Sequence, residues 1–133
     1  MRARILRNGD QMPTVFLIDD SKTILASMSR IIEKSGYEVQ VAAGGQEAVE
    51  RLEAGLQPSL IITDLNMPCL NGLQVIERAR RIAHCRFIPI LVLTTESQQS
   101  KRDEAKALGA TGWLVKPADP DQLAGVLKQL IKT

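Results

Sequence analysis

Residues 60–68 read Leu60-Ile61-Ile62-Thr63-Asp64-Leu65-Asn66-Met67-Pro68. A short apolar run rich in β-branched residues is typical of a strand buried on both faces of a parallel sheet. The run ends in the carboxylate of Asp64, and Pro68 and Gly72 indicate that a loop follows. We therefore expect Asp64 at the carboxyl edge of the sheet, where open α/β proteins bind their ligands. Considered alone, an Asp after a strand usually does no more than cap the next turn.

The pattern of a strand followed by a helix recurs five times along the chain. Apolar or alternating runs predict strands over residues 15–18, 37–42, 60–63, 88–93 and 112–115, and apolar stripes at helical spacing predict a helix after each. This order predicts an α/β fold, a doubly wound five-stranded parallel sheet with five helices on its two faces. Residues 97–108 are mostly polar, so we expect the fourth helix to have the least core contact and the greatest mobility.

Composition excludes several classes of function. The chain has 133 residues and a formal net charge of +2, with basic and acidic side chains interspersed, which predicts no nucleic-acid partner. No apolar run is long enough to insert into a membrane. Cys69 and Cys85 lack metal-binding spacing and, in a chain without a signal peptide, indicate a reducing cytoplasm. Cys85 and its neighbour His84 are interpreted as loop residues. The densest basic cluster is predicted to be a solvated helix face: Arg78, Arg80, Arg81 and Arg86.

Residues 1–12 differ from the rest of the chain. They contain three arginines and a turn signal, and they lack a convincing hydrophobic period. We expect a flexible N-terminal extension over residues 1–12 and one compact domain over residues 13–133, which is long enough to enclose a hydrophobic core.

Polar side chains follow four of the five predicted strands. In chain order they are Asp19 and Asp20, Asp64, Thr94 and Thr95, and Lys116. If the first and third strands are neighbours, three carboxylates meet in one crevice and repel one another. A Mg²⁺ ion removes that repulsion, because it prefers oxygen ligands and retains several waters. Together with the ammonium and hydroxyl groups, such a site would surround a phosphoryl group. Each signal is common by itself, but the combination at successive strand ends is specific.

From Thr14 to the C-terminus, the chain resembles the receiver domains of two-component response regulators. The resemblance is carried by an acidic pair, a central Asp, a Thr and a Lys-Pro pair: Asp19-Asp20, Asp64, Thr94 and Lys116-Pro117. It implies the strand order 2-1-3-4-5, as in the flavodoxin-like and CheY-like folds. It also implies a signalling protein that catalyses only its own phosphorylation and dephosphorylation.

The resemblance assigns a role to each pocket residue. Asp64 would accept a phosphoryl group from a phosphohistidine of a sensor histidine kinase. Asp20, Asp64 and the backbone carbonyl of Asn66 would hold Mg²⁺, with Asp19 acting through water. The peptide between Lys116 and its proline is typically cis in the family.

A second group of residues would form the switch. By the resemblance, Lys116 and the Thr94 hydroxyl bind phosphoryl oxygens, and Thr94 then moves together with an aromatic residue of the fifth strand, here Trp113. Trp113 is bulkier than the Tyr or Phe that is usual there, and Thr95 occupies a position often held by Ala or Ser. A partly exposed packing role for Trp113 is the alternative.

Asn66 and Glu96 lie two residues after Asp64 and Thr94. In the family such positions tune the rate at which the phosphoryl group is lost, and polar residues there fit a short-lived signal. A Mg²⁺-dependent phosphatase with an aspartyl nucleophile is the alternative from another class. That enzyme would need a second carboxylate at the position of Asn66.

The partners are also implied by the resemblance. Residues 93–97 and 109–117 look most like the chemotaxis branch, which implies a CheA-type kinase upstream and a flagellar-motor switch protein downstream. With no further module after the last helix, we expect output through the face formed by the fourth helix, fifth strand and fifth helix. The alternatives within the family are a phosphate sink or phosphorelay intermediate without motor contact, and a receiver used only as an interaction module.

Overall fold

The computed structural model of the protein describes residues 12–131. Five strands and five α-helices alternate along this part of the chain, as predicted. They are β1 (Thr14–Ile18), α1 (Lys22–Lys34), β2 (Glu38–Ala42), α2 (Gly45–Glu53), β3 (Leu60–Thr63), α3 (Gly72–Arg81), β4 (Ile90–Thr94), α4 (Gln99–Leu108), β5 (Gly112–Val115) and α5 (Pro120–Leu130). The extension predicted for residues 1–12 lies outside the described residues, apart from Met12, and stays a prediction.

All five strands are parallel, in the order β2-β1-β3-β4-β5. This confirms the predicted fold class and the order implied by the resemblance. β3 is central, and all four of its residues are buried. The chain passes from β1 to β2 on one side and then crosses to β3 on the other, so a crevice opens at the carboxyl ends of β1 and β3. Ile18 is in register with Thr63, so Asp19 and Asp64 leave the sheet side by side.

The helices cover both faces of the sheet. α1 and α5 pack on one face through residues that recur at helical spacing: Leu25, Met28, Ile32, Leu123 and Leu127. α2, α3 and α4 pack on the other through a second set: Ala48, Val49, Leu52, Val75, Ile76, Ala79 and Ala105. All residues of α4 are described, and Ala105 alone among them is buried. The prediction of least core contact for the fourth helix is confirmed.

Two predictions near the amino end of the sheet were wrong. His84 and Cys85 are not simple loop residues, because they lie in the 3-10 turn Ala83–Cys85 and Cys85 is fully buried. Burial raises the pKa of the Cys85 thiol, although the charge of Arg80 opposes that shift. Arg80 in turn is no part of a solvated face, since its guanidinium is bonded to backbone carbonyls of neighbouring turns. Helix and turn ends leave such carbonyls without donors, and a long side chain can reach them.

Neither of the two cysteines, both within the described residues, forms a disulfide. Among residues 12–131, no helix is both long and apolar enough to cross a bilayer.

Candidate functional site

Three carboxylates meet at the carboxyl edge of the sheet. Asp19 and Asp20 follow β1, Asp64 follows β3, and each offers an oxygen within 4.8 Å of the others. Asp19 and Asp64 are buried, whereas Asp20 is exposed, so the cluster is open to solvent on one side. Backbone amides hold the two buried carboxylates, because Ser21 N–H donates to Asp19 Oδ1 at 2.9 Å and Leu65 N–H donates to Asp64 Oδ1 at 2.6 Å.

Lys116 directly follows β5, two strands away from β3, and its side chain joins the cluster. Its Nζ lies 2.6 Å from Asp19 Oδ2 and 3.0 Å from Asp64 Oδ2, so one ammonium bridges two buried carboxylates. Its backbone N–H donates to the carbonyl of Thr94 at 2.8 Å, and the following peptide bond to Pro117 is cis, as the resemblance implied. Burial by itself lowers the pKa of the Lys116 ammonium. Hydrogen bonds and charge from Asp19 and Asp64 outweigh that effect and raise the pKa above its ordinary value.

Thr94 ends β4 beside the cluster and is fully buried. Its hydroxyl accepts a hydrogen bond from Glu96 N–H at 3.2 Å. The Glu96 carboxylate in turn accepts one from the N–H of Gln98, the N-cap residue of α4, at 3.1 Å. These two bonds form a direct link from the pocket to the first turn of α4.

The model of the response regulator receiver domain family matches residues 15–128, which include every pocket residue named above. The chain belongs to this family. Receiver domains are the signalling modules of phosphorylation-based two-component systems, and that is the function class of this chain.

The most similar relatives include chemotaxis proteins. CheY1 of Helicobacter pylori is 33% identical over 90% of this chain and 97% of its own length. Protein PilH of Pseudomonas aeruginosa is 29% identical over 90% of this chain and 98% of its own length. The solved structure of CheY4 of Vibrio cholerae superposes with a TM-score of 0.86 at 40% identity, over 91% of this chain and 100% of that one. This receiver domain therefore matches single-domain chemotaxis regulators along nearly their whole length.

The remaining predicted residues of the receiver domain are Asn66, Thr95, Glu96 and Trp113. Asn66 and Thr95 are exposed and Glu96 is half-buried. Trp113 is not brought to the carboxylates, since it pairs in register with Val92, two residues before Thr94. Its part in a switch stays a prediction.

Trp113 packs against α4. The Arg102 guanidinium lies 5.9 Å from the centre of the indole ring, within the range of a weak cation–π contact. The ring borders a cavity of about 300 Å³ whose other walls include Gln99, Arg102 and Lys106 of α4. The indole N–H is buried and has no hydrogen-bond partner among the described residues. The fluorescence of Trp113 should therefore respond to a movement of α4.

The raised pKa of Lys116 predicts that the free energy of unfolding depends on pH. A raised pKa in the folded state means that the paired ammonium stabilises the receiver domain fully below the ordinary lysine pKa of about 10.4. That contribution is lost as the pH rises through the higher folded-state value. We expect the stability advantage of wild type over Lys116→Met to be constant near pH 8 and to shrink above about pH 10.4. Urea unfolding at a series of pH values measures this.

Lys101→Met is the control for that experiment, because the Lys101 side chain is 43% exposed and its ammonium lies 3.9 Å from Glu104 Oε1 of its own helix, in a weak ion pair. Its difference from wild type should be small at every pH. An advantage over Lys116→Met that stayed constant through alkaline pH would contradict the raised pKa.

Three residues of the site have roles that were not predicted from the sequence. Thr63 was seen only as the last strand residue, yet its buried hydroxyl donates to the carbonyl of Asp64 at 2.9 Å. Gly72 was seen only as a loop signal, yet it packs against the backbone of Asp64. Ser21 is the N-cap of α1, since its hydroxyl accepts from Ile24 N–H, and its own N–H also orients Asp19. A polar residue that ends an otherwise apolar strand is the signal that could have identified Thr63.

Proposed function

We propose that this receiver domain is a stand-alone phosphorylation switch that accepts a phosphoryl group on Asp64 from a sensor histidine kinase. The observation that carries the proposal is the Lys116 ammonium bridging Asp19 and Asp64 within a cluster of three carboxylates. Such a cluster combines a carboxylate nucleophile with a fixed cation. The alternative of a receiver used only as an interaction module, without phosphoryl chemistry, does not account for this arrangement.

In the proposed reaction an oxygen of the Asp64 carboxylate attacks the phosphorus of the phosphohistidine. The P–N bond breaks, its electron pair remains on the imidazole nitrogen, and that nitrogen takes up a proton. Asp64 becomes an acyl phosphate, which water later hydrolyses to the carboxylate and inorganic phosphate. The Lys116 ammonium and the Thr94 hydroxyl donate to the phosphoryl oxygens, where charge is concentrated.

The donor set fits Mg²⁺. Carboxylate oxygens are the ligands that this hard cation prefers, and the exposed side of the cluster leaves room for the waters that it retains. Asp19, Asp20, Asp64 and the backbone carbonyl of Asn66 would hold the ion. When bound, Mg²⁺ would neutralise negative charge on the carboxylates and on the phosphoryl oxygens.

The switch would begin at Thr94. Its hydroxyl oxygen accepts from Glu96 N–H, so rotation of the hydroxyl toward a phosphoryl group would weaken the bond that anchors the loop between β4 and α4. Glu96 holds the N-cap of α4, and α4 has little core contact to resist displacement. Movement of α4 would change the environment of Trp113 and the surface formed by α4, β5 and α5. Thr95 is exposed beside this path.

Similarity to CheY1 and CheY4 over nearly their full lengths supports a role in chemotaxis. The partners would then be a CheA-type kinase upstream and a flagellar-motor switch protein downstream. Stronger binding of the beryllofluoride form to a motor switch protein would favour this role, whereas no binding would favour a phosphate sink.

The direct test uses the single tryptophan of the chain. Addition of beryllofluoride or a small phosphodonor should change Trp113 fluorescence only when Mg²⁺ is present. Mass spectrometry of the intact protein should show covalent phosphate after treatment with the phosphodonor. Trp113→Phe is the control, because it should lose the optical signal and keep the covalent product. Absence of both the optical change and the covalent product in wild type would overturn the proposal.

The lifetime of the acyl phosphate should depend on Asn66 and Glu96. We expect Asn66→Met and Glu96→Leu each to prolong it by about threefold to tenfold, which is less than the loss of a true general base would cause. Apolar side chains near Asp64 and Thr94 should hinder an attacking water and leave Mg²⁺ affinity largely unchanged. Release of phosphate from the purified phosphoprotein measures the rate.

Glu96→Gln is the matched control, since the amide oxygen can still accept from Gln98 N–H while the charge is removed. The lifetime of the acyl phosphate in Glu96→Gln should lie between the lifetimes in wild type and in Glu96→Leu. Equal lifetimes in wild type and in both apolar variants would refute the assignment.

A further inference from the structure

The peptide unit between Asp64 and Leu65 is held from several directions. The Thr63 hydroxyl donates to the carbonyl oxygen of Asp64 at 2.9 Å. The peptide units before and after it are held as well. Asp64 N–H donates to the carbonyl of Ile18 at 3.0 Å on the amino side, and Gly72 N–H donates to the carbonyl of Leu65 at 2.8 Å on the carboxyl side. The chain immediately after β3 is therefore fixed on both sides of Asp64.

Gly72 makes the closest approach to this peptide unit. A methyl group at residue 72 would overlap the carbonyl oxygen of Asp64, and it would lie 2.8 Å from Leu65 Cα and 3.0 Å from the Asp64 carbonyl carbon. Real side-chain carbons essentially never approach other atoms so closely, so a larger residue at 72 would displace the peptide.

The orientation of this peptide unit determines the orientation of the carboxylate. A peptide is planar, so fixing its C=O also fixes its N–H. Here the C=O belongs to Asp64 and the N–H to Leu65, and that N–H donates to Asp64 Oδ1 at 2.6 Å. With Oδ1 held in this way, Oδ2 faces Lys116 at 3.0 Å.

We infer that Thr63 and Gly72 are positioning residues for phosphoryl transfer, which act by fixing the Asp64–Leu65 peptide and, through it, the Asp64 carboxylate. This inference rests on the proposed function, because the rate of phosphoryl uptake can report on it only if Asp64 accepts a phosphoryl group. Neither residue touches the phosphoryl group, and both act on the backbone of the residue that receives it.

Thr63 allows a nearly isosteric test. Thr63→Val removes the hydroxyl and keeps the shape, whereas Thr63→Ser keeps the hydroxyl. We expect Thr63→Val to slow phosphoryl uptake from a small phosphodonor by about tenfold, because a small misplacement of a reacting group is costly in rate. Thr63→Ser should restore uptake to near the wild-type rate. In Mg²⁺-free buffer, the amide NMR signal of Leu65 should shift in Thr63→Val and not in Thr63→Ser.

Gly72 is tested against a second glycine that packs on the same loop. A methyl group at Gly45 would overlap the carbonyl oxygen of Leu70, so Gly45→Ala disturbs the loop without touching Asp64. Both substitutions should lower the urea midpoint. Gly72→Ala should reduce uptake per folded molecule by about a hundredfold, and Gly45→Ala by about twofold or less. If Gly72→Ala folds poorly, it is measured in a Gly125→Ala background, because Gly125 lies in α5 with open space around it and Ala favours the helix.

The outcomes separate the inference from the proposed function. Slow uptake in Thr63→Val, rescue by Thr63→Ser and a shifted Leu65 amide would support the inference. Wild-type uptake in both Thr63→Val and Gly72→Ala would overturn it and leave the proposed function standing. If wild type itself takes up no phosphoryl group, the proposed function fails, and an unshifted Leu65 amide in Thr63→Val would overturn the positioning role independently. If Gly72→Ala is unfolded both in the wild-type and in the Gly125→Ala background, the comparison of Thr63→Val with Thr63→Ser decides whether the inference holds.

Discussion

Asp64→Asn is expected to reduce covalent phosphoryl uptake to background, a loss of about 10³-fold or more. An amide oxygen can still accept from Leu65 N–H, so the local hydrogen bonding is retained, but the amide is too weak a nucleophile to form an acyl phosphate. Asp19 keeps its ion pair with Lys116. Only the carboxylates of Asp19 and Asp20 remain in the variant, so the repulsion within the cluster is smaller than in wild type. The variant should therefore remain folded. Intact mass after treatment with a small phosphodonor and Mg²⁺ measures the loss.

Asp121→Asn is the control for this experiment, because it makes the same chemical change on an exposed residue in the first turn of α5. It should take up phosphate like wild type. If Asp64→Asn were phosphorylated at the normal rate and stoichiometry, the assignment of Asp64 as the phosphoacceptor would be wrong.

Arg80→Met is expected to lower the free energy of unfolding by about 2–4 kcal/mol. The Arg80 guanidinium donates five hydrogen bonds to four backbone carbonyls, those of Cys85, Arg86, Ile88 and Gly109. Met preserves much of the aliphatic packing but removes these donors, although the Cys85 carbonyl still accepts from Ile88 N–H at 3.2 Å. Burial lowers the pKa of the guanidinium, yet an arginine remains charged at any physiological pH. Urea unfolding with a comparison of midpoints measures the effect.

Arg78→Met is the matched control, since Arg78 is exposed on the same helix. Its loss of stability should stay within about 0.5 kcal/mol. Arg80→Lys should be intermediate, because an ammonium cannot reach carbonyls on several segments at once. Equal midpoints for Arg80→Met and Arg78→Met would show that the hydrogen bonds of Arg80 contribute nothing to folding.

Local sequence accounts for most of the architecture. The buried run that ends at Asp64, the polar fourth helix and the serine before α1 each follow from short-range rules of burial, periodicity and capping. The edge at which Asp19, Asp64, Thr94 and Lys116 emerge follows as well, because the carboxyl ends of parallel strands lie together. These features are predictable because each depends on residues only a few positions apart.

Contacts between distant segments were not predictable in this way. Arg80 looked like one of several surface arginines, and only the proximity of the turn before β4 and the end of α4 reveals its carbonyl partners. Gly72 looked like a loop signal, and only the close return of the loop onto β3 shows what a side chain there would strike.

The order of residues along the chain was thus enough to specify the βα repeat, the edge that carries the chemistry and the residue types gathered there. It could not specify that Lys116 would bridge Asp19 and Asp64, that Trp113 would lie against α4, or that Thr63 would hold the peptide after Asp64. Periodicity reports which face of an element is buried. Distances of a few ångströms between side chains depend on how all the elements pack against one another, and no local pattern encodes them.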